Sequence, residues 1–166
     1  YLVQEPRDRQ ADADMFGKFI ELDKTEGVPT DMVMYQNEAY SYTPYPGCPW
    51  IAEGTVRFNR DYLAPTLKAK APGVSLMLGT FNTNREPYIA EILDSPGMLD
   101  CVDGIGFQWE GREVMESFAK KGKYPGKRRI CSEAECGNGK MDYAAAEHTA
   151  WLLFRNLGHG ADEWYN

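Results

Sequence analysis

The 166-residue chain lacks most of the signatures by which a sequence declares its chemistry. It has two histidines, His148 and His159, and four cysteines, Cys48, Cys101, Cys131 and Cys136. No Cys-x-x-Cys pair and no ligand spacing between these residues is present, which argues against a structural zinc site. No Gly-x-Gly-x-x-Gly follows an apolar run, so the dinucleotide fingerprint is missing. Ser132 stands outside any Gly-x-Ser-x-Gly, so the nucleophile elbow of an ester hydrolase is missing too. No stretch approaches the roughly 18 apolar residues of a membrane span.

Positive charge is also scarce. The chain has 18 Lys and Arg against 25 Asp and Glu, a net charge of −7. Its two basic clusters, Lys120-Lys121-Gly122-Lys123 and Lys127-Arg128-Arg129, read as solvated faces, and nucleic acid is not an expected partner. Nothing calls for a metal or an organic cofactor. No secretory signal is visible, but the chain opens at Tyr1 without Met and reads as a mature product or fragment, so that absence carries no weight.

What is present is an alternation. Helical spacing of Met15, Phe16, Phe19, Ile20 and Leu22 predicts a helix over Asp12 to Thr25, stopped by Gly27-Val28-Pro29. A strand over Met32 to Gln36 follows, then an aromatic loop with Tyr40, Tyr42, Tyr45 and Trp50. A second helix is expected from Glu53 to Lys70, bent or split by Pro65. Next come a strand (Val74 to Leu78), a helix (Glu86 to Leu93), a strand (Val102 to Phe107) and a helix (Arg112 to Lys121). A strand around Ile130 to Ser132 and a long helix from Asp142 to Leu157 follow. Ala161 to Asn166 begins a last strand. Cys101 and Cys131 fall in strand-like runs as buried thiols. Cys48 and Cys136 lie in loops and would pair only in an oxidising compartment.

Strands apolar on both faces, alternating with helices, imply a covered parallel sheet. A doubly wound sheet and an eight-stranded barrel both accommodate five such strands. Acidic and aromatic residues placed just after strands favour the (β/α)8 barrel, which keeps its chemistry at that end. A whole barrel takes roughly 250 residues and rarely fewer than about 200, so this chain is expected to be its second half, a partial catalytic domain over residues 1–166.

Two glutamates end apolar runs: Glu38 after Met32-Val33-Met34-Tyr35-Gln36-Asn37, and Glu133 after Arg129-Ile130-Cys131-Ser132. Burying an unpaired carboxylate is costly, so packing is a poor reason for either. Two carboxylates from separate strand ends are what cleavage of a glycosidic bond requires. Taken alone, Asn37-Glu38 also reads as a turn or a helix cap. Glu133 and Glu135 share a face of an extended segment, where like charges would push one pKa upward, and Glu135 reads as a sugar contact or simply as a loop charge. Gln108 and Trp109 follow the third apolar run, Asn82 follows the second as a hydroxyl-binding candidate with a turn or cap as its alternative, and Trp164 in the last strand is placed to floor a site. Tyr40 belongs to the aromatic loop, and flat rings stack on sugar faces.

Four segments occur in order: Tyr35-Gln36-Asn37-Glu38-Ala39, Thr43-Pro44-Tyr45-Pro46-Gly47-Cys48-Pro49-Trp50, Val102-Asp103-Gly104-Ile105-Gly106-Phe107-Gln108-Trp109, and Ser132-Glu133-Ala134-Glu135-Cys136-Gly137. Together they resemble glycoside hydrolase family 30, the glucosylceramidase-like group within the clan of Asn-Glu barrel glycosidases. The resemblance implies barrel strands four to eight and a retaining mechanism acting on a β-linked carbohydrate. It makes Glu38 the general acid/base, Glu133 the nucleophile, Asn37 the holder of the sugar 2-hydroxyl and Trp109 an aromatic of the site. Gln108 departs from the His found there in many members. The family favours a secreted or otherwise extracytoplasmic location. A β-xylanase or β-xylosidase of the same family is an alternative to a β-glucosidase, glucosylceramidase-like enzyme or β-1,6-glucanase. A non-catalytic carbohydrate-binding or half-barrel fragment, completed by a second chain or copy, is another.

Overall fold

The structure, a computed structural model, describes residues 5–40, 47–135 and 139–165. In chain order the elements are α1 (Pro6–Thr25), β1 (Met32–Met34), α2 (Ala52–Phe58), α3 (Ala64–Lys70), β2 (Ser75–Phe81), α4 (Glu86–Leu93), α5 (Met98–Cys101), β3 (Gly104–Gln108), α6 (Arg112–Lys120), β4 (Arg128–Glu133), α7 (Tyr143–Gly158) and β5 (Glu163–Trp164). The five strands form one sheet in the order β1-β2-β3-β4-β5. Every pairing is parallel. A doubly wound sheet would reverse its strand order at a switch point; a strictly sequential order is the barrel arrangement.

Alternation along the strands divides the side chains. Leu76, Leu78, Ile105 and Phe107 join the main core with Ile89, Ile92, Leu93, Val114 and Phe118 from the helices. The opposite face carries small residues beside Met34 and Met77. A Cβ at Gly104 would run into the Met77 side chain and lie 2.6 Å from Arg128 O, so only glycine fits there. Glu86 ties α4 to α6 through Ser117 Oγ (2.7 Å) and Lys121 Nζ (2.9 Å), and these donors hold its pKa down at about 2.

Several boundaries differ from the expectation. Helix α1 begins at Pro6 and buries Arg9, Ala13, Gly17 and Ile20. Met15, Phe19 and Leu22, which carried the helical signal, are exposed. The helix after the aromatic loop is not split at Pro65. Instead Asn59–Leu63 forms one π turn between α2 and α3, in which Ala64 N–H reaches back five residues to Asn59 O. That wider turn accommodates a proline, which has no N–H to give and crowds the carbonyl four residues back. Cys101 ends the short helix α5 rather than lying in a strand, and its Sγ donates to Met98 O. Cys131 is buried in β4 as expected. The proposed pairing of Cys48 with Cys136 falls on a residue outside those described, as do Tyr42, Tyr45 and the end of the last strand at Asn166.

Two irregularities lie at the C-terminal end of the sheet. Between Leu78 and Phe81 the register of β2 against β3 shifts, and between Phe107 and Gln108 that of β3 against β4 shifts. Such bulges re-aim side chains. Gly79 makes the first one: its φ is +109°, and a Cβ there would collide with Gly106 O. We expect Gly79→Ala to lose at least about 1–3 kcal/mol from backbone strain alone. A lowered urea midpoint with unchanged m would register it; an unchanged midpoint would show that the bulge does not depend on glycine.

Candidate active site

The chain turns sharply after β1, with Asn37 to Tyr40 forming the turn. Glu38 sits there in the left-handed region, φ 47°, uncommon for a residue with a Cβ. Its N–H donates to Thr80 Oγ1 at 3.2 Å, and Asn82 Nδ2 donates to its Oε1 at 3.1 Å. Asn82 is itself anchored, accepting from Glu110 N–H at 3.1 Å. Thr80 uses every site of its hydroxyl. It accepts from Glu38 N–H and from Gln108 Nε2 (3.0 Å), and donates to Asn37 Oδ1 at 3.0 Å.

Glu133, at the end of β4, enters the same network through Gln108, whose Nε2 lies 3.0 Å from Glu133 Oε2 and 2.7 Å from Asn37 Oδ1. Gln108 thus bridges the ends of β1, β2 and β4 from β3. Its own Oε1 is buried without a partner among the described residues. Both glutamates therefore open on one end of the sheet: Gln108, Thr80 and Asn37 join Glu133 Oε2 to the Glu38 backbone N–H, and Asn82 holds the Glu38 carboxylate.

The Glu133 carboxyl is pushed above the ordinary glutamate range, first by the protein around it and then by the negative charge of Glu38. The residue is exposed overall, so the crowding acts at the carboxylate against the end of the sheet rather than through deep burial. Glu135 is not the source of that push. It turns to α7, where its Oε2 lies 3.5 Å from His148 Nε2.

The remaining sequence candidates divide. Asn82 donates to the Glu38 carboxylate and Gln108 to that of Glu133, while Asn37 joins them through Gln108 and Thr80. Trp109, in a 3-10 turn after β3, is 39 % exposed at the same end. Tyr40 turns toward α4: its ring lies tilted against Tyr88 with centroids 4.4 Å apart, and Arg85 lies over it and donates to its hydroxyl. These three border a cavity of about 500 Å³ with Trp50 and Ile51. Trp164 packs against Cys131, Ala134 and Leu152 of α7, so it does not floor the site. Thr80 was not anticipated. Its one signal was Gly79, a glycine interrupting an apolar strand, which marks a bulge.

Strand order, the placement of carboxylates after strands and the bulges define the class: part of a (β/α)8 barrel, with its polar cluster at the catalytic end. No family model and no curated protein matches the sequence. Solved structures do. SrfJ from Salmonella typhimurium superposes with a TM-score of 0.82 at 16 % identity, over 96 % of this chain and 37 % of that one. The endo-beta1,6-glucanase BT3312 gives 0.79 at 19 % identity, over 96 % and 38 %. The glycoside hydrolase family 30 subfamily 8 xylanase Xyn30A from Clostridium acetobutylicum gives 0.75 at 18 % identity, over 96 % and 40 %. The chain spans well under half the length of these neighbours. Its fold is that of part of the barrel these solved structures share, five parallel strands in sequential order.

The pKa of Glu133 has a thermodynamic consequence. A carboxyl raised in the folded state binds more protons than in the unfolded chain between its ordinary and raised values, so stability falls as pH rises through that window. Glu133→Gln removes the penalty. Its melting temperature should match the parent below about pH 4, where the carboxyl is protonated in both states, and exceed it near pH 7. Melts across that range check this; an equal or lower value at pH 7 contradicts it.

Proposed function

We propose that this chain carries the two catalytic carboxylates of a retaining β-glycoside hydrolase that cleaves β-glucosidic bonds. The observation that carries the proposal is the shared network: Glu38 through Thr80, and Glu133 through Gln108, meet at Asn37. Glu133 attacks the anomeric carbon while Glu38 gives its proton to the departing glycosidic oxygen. Glu38, now a base, takes a proton from water, which attacks the same carbon, breaks the ester to Glu133 and releases the sugar. Asn37, with its side chain fixed by two donors, is the group for the sugar 2-hydroxyl. Trp109 supplies a ring face.

The proton inventory bears on the roles. In such pairs the acid is the member with the raised pKa. Here the upward push falls on Glu133, which by itself would make Glu133 the acid. The family resemblance assigns the roles the other way, and the Gln108 N–H favours an ionised Glu133. The neighbouring solved structures include a β-1,6-glucanase and xylanases, so both aryl β-glucosides and aryl β-xylosides belong in the assay. The complete active site, the domain to which residues 1–166 belong and any second chain or copy that closes the barrel form part of this proposal.

In the full-length protein, Glu133→Ala should abolish turnover, and added azide should restore it with an α-glycosyl azide as product. Glu38→Ala should lose about 10²- to 10⁴-fold on substrates with poor leaving groups. In that variant azide should give the β-azide. Reversed anomers would exchange the two roles. Sugar binding without hydrolysis by the parent would instead identify a carbohydrate-binding protein on a glycosidase fold.

A further inference from the structure

Gln108 is only 1 % exposed, and its amide reaches three acceptors: Glu133 Oε2, Asn37 Oδ1 and Thr80 Oγ1. A carboxamide has two N–H bonds. Thr80 already gives its own proton to Asn37 Oδ1. One Gln108 N–H therefore serves Asn37 and Thr80, and the other is left for Glu133. The reverse amide orientation would set an oxygen against Asn37 Oδ1 and Glu133 Oε2, both acceptors in this network, so the donor side must face them.

A donor aimed at a carboxylate favours its ionised form. This matters here because burial and Glu38 both push Glu133 toward its protonated form, in which it cannot attack carbon. A histidine in this position would donate in a pH-dependent way and add a charge below its pKa of about 6.5. An amide does neither.

We infer that Gln108 is a positioning residue: a donor that does not titrate, holding the Glu133 carboxylate ionised and in line with Asn37 and Glu38. The inference rests on Glu133 being the nucleophile. Gln108 touches no substrate atom in this role; it acts through Glu133. A buried glutamine that merely satisfied Asn37 and Thr80 would affect folding and no more.

The test uses Gln108→Met, which keeps the volume and removes the donor, and Gln108→His, which restores a titrating one, both in the full-length protein. For Gln108→Met we expect kcat to fall about 10- to 100-fold, the effect of losing one hydrogen bond to a charged group. KM should change less than about threefold, and the acid limb of kcat/KM should move to higher pH. Gln108→His should recover part of kcat and add an ionisation near pH 6.5. In a Glu133→Ala background, where the residue acted upon is gone, Gln108→Met should leave the azide-rescued rate unchanged, because coupled residues are not additive. An equal loss in both backgrounds, or a lower melting temperature with an unmoved acid limb, overturns the inference. Absence of azide rescue in Glu133→Ala alone would refute the nucleophile reading separately.

Discussion

Parallel pairing of β2, β3 and β4 is the constraint on which everything else depends, because it brings Thr80, Gln108 and Glu133 from three separate strands to one end of the sheet. Regular pairing alone would not aim them. The first break in register spans Thr80 and the second comes just before Gln108, and the first is built on a glycine that no other residue could replace without meeting Gly106 O. A bulge costs ladder hydrogen bonds, and sheets keep them where side chains must be redirected. Local irregularity and site thus have the same residues in common.

Two carboxylates at one end of a sheet repel each other. Neutral donors offset this: the Asn82 amide on Glu38 and the Gln108 amide on Glu133. Fixed amide dipoles stabilise charge without titrating. Arg85 is engaged with the ring and hydroxyl of Tyr40.

The outer helices show how an amphipathic pattern and a buried face can part company. In α1 the large apolar residues Met15, Phe19 and Leu22 face outward, while the narrow face of Ala13 and Gly17 packs on α3, with Lys70 and Thr66 against Gly17. In α7 only Leu152 and Asn156 are buried, leaving Trp151, Phe154 and Leu157 on the surface. In a closed barrel each helix has a neighbour on both sides. These two flank an open sheet whose edges are β1 and β5.

The order of elements, the barrel class and the two acidic strand ends were legible in the residues, because periodicity and the cost of burying charge act locally. Asp142 was recognisable as the start of α7, and its side chain does accept from Ala145 N–H. The register shifts were not legible, since a bulge depends on the partner strand; so Thr80 was missed. Nor was the separation of Glu135 from Glu133, because it is His148, from a helix that packs on the same strand, that draws the second acid away. The chain's own sequence settled which chemistry was on offer. Tertiary contacts decided which groups meet, because hydrogen bonds between Asn37, Thr80, Gln108 and Glu133 join residues that only strand pairing brings within reach.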